Sequence, residues 1–236
     1  MQLFKYYFRM KSKQMLIFDF IYLAVLIVFF LIQLSLFLGS DTRVSFTFLE
    51  VLRGGLQSNR NIQNILIPFL PIVFIFPLIP VLFPHFFHVR NLNKFVDMQL
   101  YFYYFLYIMA FLIATITFKW TVQNRLVYDH NWNSVLSLGI YFWSVFVFFK
   151  LINLILLFTN NKIITLLSTY LFWYVDLFLE KVGIRLFFAH GFATTEIVSG
   201  KAFFFKSSLF LIFYLVVVEV VQLWIISKKD YIKKIK

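Results

Sequence analysis

Residues 67–85 read IPFLPIVFIFPLIPVLFPH, and this stretch contains all five prolines of the chain. Before its final histidine it carries no charged side chain. A helix needs roughly 20 apolar residues to cross about 30 Å of hydrocarbon, so the stretch has the length and composition of a membrane segment. It therefore indicates a membrane protein in which one crossing contains several helix-breaking residues.

The composition of the whole chain supports the same conclusion. Of its 236 residues, 62% are hydrophobic, 22% are aromatic and only 14% are charged, which is more apolar than a soluble domain of this size. The polar segments are too short to bury soluble cores of their own. We expect an all-α, polytopic membrane protein with one transmembrane domain, 1–236, and about six spans. The expected spans are 15–38, 63–84, 98–118, 136–158, 163–180 and 204–227.

The formal net charge of +12 is concentrated at the two ends of the chain. Six crossings place both ends on one side, and the positive-inside rule then predicts that both termini are cytoplasmic. Abundant Phe, Ile, Lys, Asn and Tyr are typical of an AT-rich bacterial genome, so we expect a multi-pass protein of the bacterial plasma membrane. The basic residues flank membrane spans, which favours contact with lipid headgroups over nucleic acid as a partner. The terminal basic residues are Lys5, Arg9, Lys11, Lys13, Lys228, Lys229, Lys233, Lys234 and Lys236.

The motifs of several chemistries are missing from the sequence. There is no cysteine, which excludes disulfides and thiolate metal sites. Gly200 and Lys201 are followed by alanine and lack the earlier glycine of a phosphate-binding loop, and HEXXH and GXSXG do not occur. His85 and His88 have only Asp97 nearby as a third ligand. We therefore expect no enzymatic activity, cofactor or metal, so energy for any transport must come from a partner or an ion gradient.

The prolines predict an irregular second span. Each proline removes an amide donor, and the carbonyls that are freed must face protein, hydroxyl groups or water rather than lipid. We interpret Pro68, Pro71, Pro77, Pro80 and Pro84 as positions of a hinge that lines a transport pathway. The alternative is a static bend that helps a Phe-rich helix to pack against its neighbours.

The segment after the prolines, HFFHVRNLNKFVDMQ at 85–99, is polar and runs directly into the third span. The chain also has a basic interfacial start from Phe4 to Lys13, six expected spans and an Arg-x-x-x-Lys pattern at Arg90 and Lys94. This layout resembles the permease subunits of type 2 ABC exporters, in particular the small Firmicutes members that carry or expel peptides and antimicrobials.

The resemblance implies a function and partners. In that family the cytoplasmic segment after the second span is the coupling helix that docks on a separate ATPase, which implies this role for 85–97. It implies export of an amphipathic or apolar substrate, such as a peptide or antimicrobial, by two identical or homologous permeases. The alternatives are an ion-gradient-driven secondary transporter and a non-transporting membrane scaffold or immunity protein. The implied coupling residues are His88, Arg90, Asn91, Asn93, Lys94 and Phe95.

Four ionisable residues lie within the expected spans: Asp19, Lys150, Asp176 and Glu219. A charge inside the membrane is costly, so each should face protein or water. Asp19 and Asp176 are near membrane faces, and we expect them to reach the interface by snorkelling. Lys150 and Glu219 each lie roughly 12 Å from the cytoplasmic end of their spans. The matching depth predicts an intramembrane ion pair, and the alternative is a proton or ion relay.

Two loops carry further signals. The segment 181–203 mixes phenylalanines with glycines, which indicates a possible re-entrant hairpin before the last span. In the loop 39–62, the Gly54-Gly55 pair predicts a turn.

Overall fold

The computed structural model describes residues 13–40, 46–57, 67–78, 92–121, 126–127, 132–182 and 201–234. This part of the chain is helical apart from connections and two strands of two residues each, which confirms the expectation of an all-α fold. The helices are α1 Lys13–Ser40, α2 Phe48–Gln57, α3 Ile67–Ile75, α4 Leu92–Thr121, α5 Trp132–Thr159, α6 Lys162–Lys181 and α7 Lys201–Lys234. The strands are β1 Phe46–Thr47 and β2 Leu126–Val127.

Five of the described helices are long and apolar enough to cross a membrane. Their apolar parts coincide closely with five of the six expected spans. These parts are Ile17–Phe37, Asp97–Thr121, Ser134–Thr159, Lys162–Leu179 and Phe204–Ser227.

The second expected span, 63–84, is described only at 67–78. There α3 has nine residues and is about 14 Å long, less than half of the hydrocarbon thickness.

Ring contacts fix the direction of α3 relative to α1. The ring centroids of Phe29 and Phe69 are 5.4 Å apart, and those of Phe18 and Phe76 are 5.3 Å apart. The order of these contacts makes the two helices antiparallel, so α3 descends toward the end at which α1 begins. We call this the lower end of the bundle; it is the end predicted to face the cytoplasm.

The two strands pair with each other at the opposite end of the bundle, which we call the upper end. β1 follows α1 and β2 follows α4, and the two pair in parallel with Phe46 opposite Leu126 and Thr47 opposite Val127. The segments after α1 and α4 therefore lie together. This is consistent with alternating crossings, since both segments belong to loops expected on one side of the membrane.

α5 is the central helix of the bundle. It packs against α2, α3, α4, α6 and α7. Its Phe149 lies edge-on to Phe74 of α3 with ring centroids 4.1 Å apart, and its Phe148 stacks on Trp173 of α6 at 5.0 Å. The hydroxyl of Tyr141 is 2.8 Å from that of Tyr107 on α4, and both side chains are fully buried. Aromatic pairs thus hold α3 and α6 against α5, and a hydroxyl pair holds α4 against it.

A two-residue turn joins α5 to α6. Asn160 has a φ of 52°, in the left-handed region that asparagine tolerates better than most residues. The side chain of Asn161 then caps α6, because its Oδ1 accepts hydrogen bonds from the backbone N–H groups of Ile163 at 2.9 Å and Ile164 at 3.3 Å. The short turn makes α5 and α6 antiparallel neighbours.

The glycine pair lies inside a helix, so the prediction of a turn at Gly54-Gly55 is wrong. α2 begins with a capping box in which Thr47 and Glu50 exchange side-chain to backbone hydrogen bonds of 3.1 and 3.2 Å. A Cβ at Gly55 would lie 2.9 Å from Leu34 of α1. Close packing of α2 on α1 therefore explains the small residues, and this packing overrides their preference for turns.

Candidate functional site

A cluster of charged side chains lies where α4, α5 and α7 meet. Lys150 of α5 is completely buried, and its Nζ lies 2.7 Å from Asp97 Oδ1 of α4 and 2.5 Å from Glu219 Oε1 of α7. Gln222 Nε2 also donates to Asp97 Oδ1 at 3.1 Å. We call these four residues the ion cluster. It holds two carboxylates around one ammonium group, so its formal charge is negative.

The charges of the ion cluster differ in their exposure. The side chain of Lys150 has no exposed surface, whereas those of Asp97 and Glu219 are 22% and 35% exposed. The ammonium group also lies 5.6 Å from the centroid of the Tyr101 ring, within the range of a cation–π contact. The surface of the cluster is therefore formed by carboxylates, with the lysine beneath them.

Lys150 and Glu219, which were predicted to pair, lie together in the structure. Asp97 was expected only as the end of the coupling segment, and its contact with a lysine of another span was not predicted. The contact with Asp97 could have been inferred from the length of the lysine side chain, which allows its ammonium group to reach residues nearer the end of a span. The i, i+3 spacing of Glu219 and Gln222 on one helix face was a second signal.

Asp19 and Asp176 are buried within the protein, so the expectation that their side chains extend toward solvent by snorkelling is wrong. Asp19 is 7% exposed and accepts a hydrogen bond of 3.1 Å from the hydroxyl of Tyr103 on α4. Asp176 is 1% exposed. Tertiary packing has enclosed both carboxyl groups, which the depth of a residue in its span does not reveal.

The end of α3 is a second polar feature, also at the lower end. An uninterrupted helix would bond the carbonyl of Phe76 to the amide of residue 80, but that residue is a proline and has no N–H. The carbonyl instead accepts a hydrogen bond of 2.8 Å from Lys162 Nζ, at the first residue of α6. The carbonyl of Pro77 accepts one of 3.4 Å from Gln99 Nε2 of α4. Side chains of two other helices thus satisfy the end of α3.

The five prolines lie in different parts of the second expected span. Pro68 and Pro71 lie within α3, and Pro77 lies in the turn that follows Ile75. Pro71 and Pro77 are buried. Pro80 and Pro84 lie outside the described residues. The helix therefore ends between the prolines, and the expected bend within one continuous helix is not what 67–78 show.

The predicted coupling segment, 85–97, is described from residue 92 onward. Asn93, Lys94 and Phe95 belong to α4, which continues without a break to Thr121. His88, Arg90 and Asn91 lie outside the described residues, as does most of the segment 181–203 that was predicted to re-enter the membrane.

Comparison of the chain with protein families, with curated proteins and with solved structures found no match. Within the described ranges no group of three or more His, Cys, Asp or Glu residues is arranged to hold a metal ion. The ion cluster is accordingly an assembly of one cation with two carboxylates and an amide. Such an assembly can link helices, and its carboxylates can attract a cation.

Proposed function

We propose that the chain is the membrane-spanning permease subunit of an ABC exporter in the bacterial plasma membrane. It would act with a separate cytoplasmic ATPase and a second permease, in contact with membrane lipid, to export an amphipathic or apolar substrate such as a peptide or antimicrobial. The observation that carries the proposal is the continuity of α4, which extends from Leu92 in the predicted coupling segment to Thr121 at the upper end.

A continuous helix can transmit a displacement from the ATPase into the membrane. Asn93, Lys94 and Phe95 are within about one turn of Asp97, at 3.6 residues per turn. Asp97 is bonded to Lys150 of α5, which is bonded in turn to Glu219 of α7. A force on the coupling residues would therefore act on three helices through the ion cluster.

The same helix is connected to the predicted hinge. Gln99 lies two residues beyond Asp97 and donates to the carbonyl of Pro77, just after α3 ends. A movement of the lower end of α4 would therefore change the support of α3 as well. This supports a role for Pro77 at a position where the second span changes shape.

Co-isolation with an ATPase tests the proposal. The tagged chain is purified from membranes of its own host, and ATP hydrolysis is measured in the eluate. We expect an ATPase to be retained by the natural chain and lost from a variant with Arg90→Glu and Lys94→Glu. The matched control reverses two charges elsewhere, with Lys228→Glu and Lys229→Glu, and should retain it. Cross-linking from position 91 should capture the same subunit.

The ion cluster favours a second candidate, a carrier driven by an ion gradient, because partly exposed carboxylates within membrane segments are typical of proton and ion pathways. This candidate predicts transport that requires Glu219, needs no ATPase and stops when the proton gradient is collapsed. If neither an ATPase nor transport is found, the scaffold or immunity role remains.

A further inference from the structure

The described helices pack in two groups. In the first group, α2 and α4 both pack more extensively on α1 than on α5. In the second group, α5 packs more extensively on α6 and α7 than on α4, and α3 packs more extensively on α6 than on α5. The boundary between the groups therefore runs along the contact between α4 and α5. We call the contact of residues 97–107 of α4 with residues 141–150 of α5 the α4–α5 interface.

The ion cluster marks the lower end of the α4–α5 interface. Asp97 is the first residue of the apolar part of α4 and lies 2.7 Å from Lys150 of α5. One turn above Asp97, Tyr101 is 51% exposed and stacks on Phe146 of α5 with ring centroids 5.9 Å apart. The interface therefore reaches the surface of the protein near its lower end.

Two tyrosine contacts continue the interface upward. The hydroxyl of Tyr104 donates to the main-chain carbonyl of Phe142 at 2.9 Å, and the hydroxyls of Tyr107 and Tyr141 are 2.8 Å apart. Tyr107 lies about 15 Å above Asp97 along α4, which is near the middle of the hydrocarbon. Polar groups therefore line this interface from the lower edge of the membrane to its middle.

Phenylalanines close the interface above Tyr107. Phe111 lies one turn higher on α4, and its ring centroid is 4.9 Å from that of Phe142 and 5.3 Å from that of Phe30 on α1. Phe30 in turn lies 5.0 Å from the ring of Tyr107. The contacts between α4 and its neighbours thus change from polar to apolar just above the tyrosine hydroxyls.

The α4–α5 interface has the properties of a contact that can open. Hydrogen bonds between membrane helices contribute little net stability, and a tyrosine hydroxyl that leaves its protein partner can bond to water instead. Because α4 packs less extensively on α5 than on α1, separation at this interface exposes less apolar surface than separation of α4 from α1. Both properties favour the entry of water between α4 and α5.

We propose that the α4–α5 interface opens from the lower end into a water-filled cleft, which ends at Tyr107 and Tyr141 below Phe111. The cleft receives the polar part of an amphipathic substrate, while the apolar part stays in the lipid beside Tyr101. This deepens the proposed function, on which it rests, by assigning the substrate a route along α4. The tyrosine hydroxyls then serve as the polar lining of this route as well as links between helices.

Cysteine labelling tests the cleft, because the natural chain has no cysteine that would react. Single-cysteine variants of the full chain are placed in phosphatidylcholine nanodiscs and treated with a cationic, membrane-impermeant methanethiosulfonate. The rate of labelling is followed by mass spectrometry. The thiolate is the reacting form, so a cysteine that faces lipid or packed protein reacts slowly and one that meets water reacts fast.

Three positions on α4 separate the cleft from simple exposure and from depth. We expect Tyr107→Cys to react about tenfold faster than Tyr103→Cys and Phe105→Cys. Tyr107 has no exposed surface, whereas Phe105 is 57% exposed. Tyr103 contacts α1 and lies one turn nearer the lower end, so the same substitution there is the matched control. A rate for Tyr107→Cys no higher than these two would overturn the proposal and leave the hydrogen bonds as permanent links.

Two further variants keep the test decisive. If Tyr107→Cys does not give a folded, monodisperse protein, Tyr141→Cys on the other side of the cleft replaces it with the same expected rate. Ala114→Cys, at a fully buried position two turns above Tyr107 on the same face of α4, should stay unlabelled because Phe111 lies between them. Labelling of Ala114→Cys as fast as that of Tyr107→Cys contradicts a cleft that ends below Phe111.

No ATPase is present in this measurement, so its result is separate from that of the co-isolation experiment. Fast labelling of Tyr107→Cys in a chain that retains no ATPase refutes the ABC assignment and not the cleft. Slow labelling in a chain that does retain an ATPase refutes the cleft and not the ABC assignment.

Discussion

Replacing Lys150 with methionine removes the cation from the ion cluster while keeping most of the volume of the side chain. Lys150 is completely buried and provides the ammonium group for both Asp97 and Glu219. Lys150→Met therefore leaves two carboxylates close together with no positive charge between them. We expect the variant to be considerably less stable than the natural chain.

The structure sets the expected magnitude. Breaking a buried ion pair by removing one partner costs about 3–5 kcal/mol. Asp97 and Glu219 are 22% and 35% exposed, so water relieves part of this cost. We expect a loss near the lower limit, about 3 kcal/mol, which corresponds to roughly a hundredfold change in the folding equilibrium.

The free energy of unfolding can be measured by titrating dodecyl sulfate into mixed micelles and following tryptophan fluorescence. Trp173 reports on this region because it is fully buried and stacks on Phe148, two residues before Lys150. The control variant removes all three charges at once, with Lys150→Met, Asp97→Asn and Glu219→Gln. It should lie within about 1 kcal/mol of the natural chain, since no unpaired charge remains.

Two results would refute this reasoning. The first is a Lys150→Met variant within about 0.5 kcal/mol of the natural chain, as expected for a surface change. The second is a triple variant no more stable than Lys150→Met, which would mean that the lysine acts by packing and not by its charge.

Three further outcomes follow from the described contacts. Lys162→Met removes the donor to the Phe76 carbonyl and should cost about 1–2 kcal/mol in the same titration. Gly139→Ala adds a methyl group in open space within a helix and should stabilise the chain by about 0.5–1 kcal/mol. Tyr107→Phe and Tyr141→Phe should each cost about 1 kcal/mol, and the double variant should cost less than their sum, because both changes remove one hydrogen bond.

The long helices were predictable because the bilayer imposes a simple rule. Each apolar run long enough to cross hydrocarbon must satisfy its backbone internally, and polar residues mark where each run ends. The five long helices therefore begin and end near the positions expected from the sequence. The pairing of Lys150 with Glu219 was predictable from the same span boundaries, because the two residues lie at the same distance from the cytoplasmic ends of their spans.

The end of α3 was less predictable because hydropathy does not change there. Prolines signalled that the helix would be interrupted, but not which groups would bind the freed carbonyls. Those groups are Lys162 and Gln99, which are 86 and 22 residues away from their acceptors in the sequence. Asp19 was misjudged for a similar reason, since its partner Tyr103 is 84 residues away. Contacts over such separations depend on packing that local patterns do not contain.

The order of the charges along the chain has a consequence for membrane insertion. Asp97 precedes Lys150 by 53 residues, and Glu219 follows it by 69. Asp97 and Lys150 are therefore both synthesised before Glu219, and a pair formed between them carries no net charge. The surplus negative charge of the ion cluster is added only when the last helix has been made.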